Sequence, residues 1–133
     1  MSTNEHSPLV LIGTYTESQE SHSEGVYVYR MNPSSGELSC QTVIKDMPNV
    51  SFMEVHPTLG SVYAVNETGT FNGTPGGGVT ALTRDFRILN DQSSGGEDPC
   101  YISIEQSGRF ALVANYTSGT VAIFCGHKFY RCH

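Results

Sequence analysis

Apolar and polar residues alternate along this chain with a period of two, in short runs bounded by Gly, Pro, Asn and Ser. The runs are rich in β-branched and aromatic residues, the pattern of half-buried strands. It predicts strands at Leu9–Tyr15, Val26–Met31, Leu38–Ile44, Phe52–His56, Val62–Glu67, Gly78–Arg84, Arg87–Gln92, Tyr101–Glu105, Phe110–Tyr116 and Thr120–Phe124. No window of useful length carries helical periodicity, so the chain reads as all-β.

The strands also repeat. Phe52-Met53-Glu54-Val55 aligns with Tyr101-Ile102-Ser103-Ile104 at an offset of 101 − 52 = 49. The same offset carries Tyr63-Ala64-Val65-Asn66 onto Leu112-Val113-Ala114-Asn115, and Thr68 onto Thr117. Gly78-Val79-Thr80-Ala81-Leu82 matches Gly25-Val26-Tyr27-Val28-Tyr29 before it and Thr120-Val121-Ala122-Ile123-Phe124 after it. Here 121 − 79 = 42, so the intervening loop is 49 − 42 = 7 residues shorter in the last copy. A period near 50 residues with four strands is that of a propeller blade. The fold class predicted is therefore a β-propeller of four-stranded antiparallel blades, with about two and a half blades in the chain. The expected division is a disordered tail at 1–8, a partial propeller at 9–124 and an atypical tail at 125–133. Within the propeller, 9–44 is an incomplete first blade, 48–92 a second, and 99–124 an incomplete third.

Charge narrows the partners. Seven Lys plus Arg stand against 13 Asp plus Glu, a formal net charge of −6. No basic stripe exists for a nucleic-acid backbone or an anionic membrane, so neither partner is expected. Met1–Pro8 holds no Lys or Arg, and Leu9–Ile12 is too short for a signal-peptide core or a membrane span. A cytoplasmic location is expected, in which the sequons at Asn49, Asn66, Asn72 and Asn115 are idle. A reducing compartment argues against disulfides among the four cysteines. Cys40 and Cys100 read as small buried hydrophobes. Cys125, His127, Cys132 and His133 match no common structural zinc spacing, so no metal or other cofactor is expected.

Antiparallel strands send their loops alternately to two faces. The turns at 56–60 and 105–109 lie on one; the long loops 16–25 and 68–77 and the links 45–51 and 93–100 lie on the other. Long loops around a concavity carry function in rigid β scaffolds, so the second face is the one to search. The repeat brings three equivalent triplets there: Thr14-Tyr15-Thr16, Asn66-Glu67-Thr68 and Asn115-Tyr116-Thr117. The substrate-face candidates are Glu67, Tyr15, Asn66, Asn115 and Tyr116. Glu67 alone is a carboxylate; it could bind a polyol hydroxyl or orient a water, or be a solvated loop residue or local cap. Asn66 and Asn115 are expected to close turns through their amides. The imidazole of His56 is a conceivable general base, but its place before Pro57 on the turn face predicts a structural turn residue. Gly76-Gly77-Gly78 precedes a strand rather than a helix, which removes the helix N-terminus a phosphate cradle needs. Glu97-Asp98 reads as an exposed link.

Ile12-Gly13-Thr14-Tyr15-Thr16, Gly25 to Tyr29, His56-Pro57, Tyr63 to Glu67, Gly77-Gly78-Val79, Pro99 to Ser103 and Val113 to Tyr116 occur in an order that resembles the seven-bladed β-propeller lactonases. That family includes 6-phosphogluconolactonases and relatives of carboxymuconate-lactonising enzymes, and the resemblance covers residues 9–124. It implies a seven-bladed parent that hydrolyses a small lactone such as 6-phosphogluconolactone, with water attacking the ring carbonyl. Such chemistry needs a general base and donors for the developing oxyanion. A phosphorylated substrate also wants Arg or Lys, and Arg30, Arg84, Arg87 and Arg109 fall on strands or turns.

The chain departs from the family in being less than half as long, and in its sequence after Phe124. A truncated or frame-shifted product is expected. The family's His- and Arg-bearing catalytic segment falls downstream, so no catalytic residue is assigned here and the fragment is expected to be inactive alone. The alternatives are a non-catalytic propeller that binds a partner, or a product without activity of its own. An unclosed propeller leaves strand edges exposed, so self-association is expected.

Overall fold

A computed structural model describes residues 7–126 and 130–132. Its strands are β1 (Leu9–Ile12), β2 (Val26–Met31), β3 (Leu38–Ile44), β4 (Val50–Val55), β5 (Val62–Asn66), β6 (Thr70–Phe71), β7 (Thr74–Pro75), β8 (Gly78–Leu82), β9 (Ile88–Ser93), β10 (Pro99–Ile104), β11 (Phe110–Asn115), β12 (Thr120–Cys125) and β13 (Tyr130–Arg131). They form three blades in the orders β1-β2-β3, β4-β5-β8-β9 and β10-β11-β12-β13, all antiparallel, and β6 and β7 make a separate hairpin. The repeat extends to the irregularities. The innermost strands bulge between Val50 and Phe52 and between Pro99 and Tyr101, again 99 − 50 = 49 apart.

Four observations revise the sequence reading. Tyr130–Arg131, assigned to an atypical tail, pair with Cys125 and Phe124 as a short fourth strand. A two-residue ladder closed by Asn72 and Gly73 was not foreseen, because β6 and β7 are too short to show alternation. Ser7 and Pro8, assigned to the disordered tail, accept hydrogen bonds from Arg30 Nη1 (2.9 Å) and the Met31 amide (3.0 Å); residues 1–6 lie outside the described residues. Cys40 is exposed and Cys100 only half-buried, contrary to the expected burial. For Cys40 the reason is position: β3 is the outer strand of its blade, with no neighbour beyond it among the described residues.

The core lies between blades rather than inside one. Val26, Val28 and Ile44 of the first blade pack on Met47, Val50, Val62, Ala64 and Leu82 of the second. On its other face the second blade presents Tyr63, Val65, Val79 and Ala81 to Ile102, Ala111, Val113, Ala122 and Phe124 of the third. Covered on both sides, β5 and β8 are buried at every position. Each fully buried Val, Leu or Phe contributes about 1.5–3 kcal/mol, so these two seams dominate the fold's stability.

His56 joins the seam at the turn face. Its Nδ1 accepts the amides of Thr58 (3.2 Å) and Leu59 (3.1 Å), which places the proton on Nε2, and Nε2 donates to the Gly108 carbonyl at 3.0 Å. Gly108 has φ +76°, and a Cβ there would come within 2.5 Å of the imidazole. Glu105, the repeat partner of His56, caps its own turn by accepting the amides of Ser107 (2.9 Å) and Arg109 (3.2 Å) and the Ser107 hydroxyl. The Ser107 hydroxyl, with these amides, holds the Glu105 carboxyl below the usual carboxylate range.

Candidate functional site

The loop face is assembled where each strand B ends and the next link begins. Asn66 and Asn115 sit there fully buried, their amides committed to backbone and threonine. Asn66 Nδ2 donates to the Pro48 carbonyl at 2.8 Å, and its Oδ1 accepts the Thr80 hydroxyl at 2.7 Å. Asn115 Nδ2 donates to the Ser94 carbonyl (3.1 Å) and to Thr120 Oγ1 (3.2 Å). Both tie the end of strand B to the link that enters the same blade. The Asn66 amide, held at both ends in the core, is positioned to order the loop face rather than to meet a solute, whereas Asn115 Oδ1 is buried with no hydrogen-bond partner among the described residues.

Tyr15 and Glu67 are 52 residues apart in sequence and touch across the seam between blades: the Tyr15 hydroxyl donates to Glu67 Oε2 at 2.9 Å. Glu67 is half-buried and Tyr15 is 48% exposed, so the pair faces solvent from the blade rim. Burial raises the phenol above its ordinary value, and the Glu67 carboxylate adds to the rise by its hydrogen bond and its charge. A carboxylate offers about four lone-pair positions, so Glu67 retains capacity to accept from a ligand hydroxyl while Tyr15 fixes its direction. Tyr116, the repeat equivalent of Glu67, stands 79% exposed on the same face. The innermost strands run alongside, where Phe52 and Tyr101 pack with ring centroids 4.6 Å apart.

Two residues at the centre of this face were passed over in the sequence. Asn49 has φ 44° and bridges two blades: its Oδ1 accepts the amides of Thr16 (2.9 Å) and Glu17 (3.1 Å), and its Nδ2 donates to the Glu67 carbonyl (3.2 Å). Asp98 has φ 52°, accepts the Thr117 hydroxyl at 2.6 Å, and donates its amide to the Thr68 carbonyl at 3.2 Å. The amides of Glu67 and Tyr116 bond to the carbonyls of Asn49 and Asp98 at 2.9 Å each. The signal for the pair was present, since 98 − 49 = 49 is the blade offset, and Asn and Asp are the residues that tolerate a left-handed turn. Asp98 therefore braces a link that reads, in sequence, as merely exposed.

The glycine run serves close approach. Gly77 donates to the Gly96 carbonyl (2.8 Å) and accepts the Ser94 amide (2.9 Å), with no room for a side chain against Pro99.

Cations are sparse here. Arg30 lies near the turn-face end of β2, and Arg84, Arg87 and Arg109 lie in the turns on that same face. Lys45, missed in the sequence, is on the loop face, in an exposed ion pair with Glu24 at 3.0 Å. Among the described residues no three His, Cys, Asp or Glu side chains converge as a metal site, and no helix is long and apolar enough to cross a membrane. His127 and His133 lie outside the described residues.

A family model described as a seven-bladed β-propeller lactonase matches residues 9–128. A 6-phosphogluconolactonase of Formosa agariphila is 27% identical over 117 residues, which are 86% of this chain and 33% of that protein. Among solved structures, a candidate 6-phosphogluconolactonase of Bacteroides fragilis superposes with a TM-score of 0.79 at 28% identity, over 99% of this chain and 36% of that one. A periplasmic gluconolactonase of Pseudomonas aeruginosa superposes with a TM-score of 0.73 at 28% identity, over 88% of this chain and 34% of that one. The chain thus spans about a third of the length of the relatives it matches.

Proposed function

Because the chain belongs to the seven-bladed β-propeller lactonases, we propose that it supplies one sector, at the amino-terminal side, of a protein that hydrolyses a sugar lactone. The observation that carries this reading is the Tyr15–Glu67 pair, a carboxylate fixed at 2.9 Å on the loop face of a lactonase-type scaffold. In this role Glu67 accepts hydrogen bonds from the hydroxyls of the lactone ring, and Tyr15 and Tyr116 shape the wall around it. In this reading the general base and the oxyanion donors come from sectors outside this chain, where the family resemblance puts its His- and Arg-bearing segment. The paucity of loop-face cations favours a substrate whose phosphate, if it has one, is held by another sector.

A cytoplasmic location is part of this proposal; cell fractionation tests it against the periplasmic location of the Pseudomonas relative.

The experiment is lactone hydrolysis, followed by proton release, on the 133-residue chain and on a full-length relative. The chain alone is expected to stay at the uncatalysed rate. In the relative, replacing the residue aligned with Glu67 by Gln is expected to raise KM more than it lowers kcat. Turnover by the chain alone would refute the placement of the catalytic groups, and an unchanged KM would refute the role of Glu67.

A further inference from the structure

Both members of the Tyr15–Glu67 contact hang from one side chain. Asn49 Oδ1 accepts the amides of Thr16 (2.9 Å) and Glu17 (3.1 Å), the two residues that follow Tyr15, and its Nδ2 donates to the Glu67 carbonyl at 3.2 Å. The backbone closes the same joint: the Glu67 amide donates to the Asn49 carbonyl at 2.9 Å, and the Val50 amide to the Thr14 carbonyl at 3.0 Å. The side-chain oxygen thus holds the first blade and the side-chain nitrogen the second. The third blade supplies an internal control. Asp98 stands 98 − 49 = 49 residues on, in the same left-handed conformation (φ 52° against 44°), and its carbonyl accepts the Tyr116 amide as that of Asn49 accepts the Glu67 amide. Its carboxylate accepts the Thr117 hydroxyl at 2.6 Å but has no N–H to give the Tyr116 carbonyl. A blade link can therefore be built around a carboxylate. The extra donor, which Asn49 has and Asp98 lacks, falls where the strand end carries Glu67 instead of a tyrosine.

We propose that Asn49 is the positioning residue of this pair: its amide sets Glu67 against Tyr15 across the seam, and with it the direction in which Glu67 meets a ligand hydroxyl. The functional meaning rests on the reading of Glu67 as a substrate-face residue; the alignment itself is a property of the folded chain. A hydrogen bond weakens steeply as its angle closes, so a pair shared between two blades keeps its geometry only if both strand ends are fixed. Asn49 is placed to fix them. It is half-buried and is followed by Val50, which is 1% exposed in the core between the first two blades, so the clamp is anchored inside while the pair lies at the rim.

The Tyr15 phenol reports the alignment without any lactone, because Glu67 raises it through their hydrogen bond and its charge. Phenolate absorbance is titrated on the 133-residue chain, and subtracting the Tyr15→Phe counterpart of each variant isolates this tyrosine. Glu67→Gln is expected to lower the Tyr15 transition in the wild-type background. In Asn49→Gly, which keeps the left-handed link and removes the amide, the same replacement is expected to lower it by roughly half as much or less. Asn49→Asp, the residue the third blade uses, is expected to give the same reduced effect, since its added charge enters both arms of the comparison. It takes the place of Asn49→Gly should circular dichroism show that variant unfolded. Ser51 and Cys100, which also act on the phenol, are common to all variants. A merely structural Asn49 would lower the unfolding midpoint and leave the effect of Glu67→Gln intact; that additive outcome in a folded variant would overturn the proposal. The KM test of Glu67 in a full-length relative fails separately. A coupled titration beside an unchanged KM supports the alignment and refutes the substrate role, whereas an additive titration overturns the alignment whatever the KM.

Discussion

Asn66 distinguishes a residue that builds the loop face from one that touches substrate. Asn66→Ala leaves the Pro48 carbonyl and the Thr80 hydroxyl without the partners they hold at 2.8 and 2.7 Å in a fully buried site. A buried polar group left unsatisfied costs about 1–3 kcal/mol, so the two together predict a loss of about 2–6 kcal/mol. Against a domain stability of about 5–15 kcal/mol this is a large fraction. With a urea dependence of about 1–3 kcal/mol per molar, the unfolding midpoint falls by roughly 1–3 M. The assay is urea unfolding followed by circular dichroism, at one fixed protein concentration because association adds a concentration term. Thr80→Val removes one partner while nearly keeping the volume. In the Asn66→Ala background it is expected to cost about 1 kcal/mol less than in the wild type, since the two side chains are directly coupled. Asn115→Ala is expected to act in the same direction but more weakly, because its bonds are longer, at 3.1 and 3.2 Å. A midpoint unchanged by Asn66→Ala, or strict additivity with Thr80→Val, would refute the assignment of this amide to the scaffold.

The turn face supplies a second prediction. His56→Ala removes the bond to Gly108 and two amide caps and leaves a cavity, so it is expected to cost about 2–4 kcal/mol. Gly108→Ala suffers a left-handed backbone and contact with the imidazole, and the double variant should lose less than the sum, as read by thermal melting. The Tyr15 phenol titrates above its ordinary value, because burial and Glu67 favour its neutral form in the folded chain. Its contribution to stability is thus fully present below the unfolded phenol's value near 10.0 and is lost as pH rises through the folded one. A phenolate absorbance titration should show Glu67→Gln lowering the Tyr15 transition partway, with the burial effect remaining; no movement would remove Glu67 from the phenol's surroundings.

Much of this molecule is written in local pattern. The alternation in Phe110–Asn115 and Thr120–Cys125 specifies strands, and the 49-residue offset specifies blades, because side-chain parity and repeat length are properties of the chain itself. The same offset, read through, would also have marked Asn49 and Asp98 as equivalent. Other features follow from how the blades pack. Tyr15 meets Glu67 only because two blades set side by side bring together strand ends 52 residues apart. Nothing in either local sequence encodes that contact. His56 reaches Gly108 for the same reason, and Tyr130–Arg131 become a strand only because the edge of β12 offers unpaired backbone groups. The sequence by itself determined the strands, their repeat and the face where long loops gather, since these depend on neighbours along the chain. Which side chains face one another across the seams was decided by tertiary structure, because that depends on the angle and spacing between sheets that only packing sets.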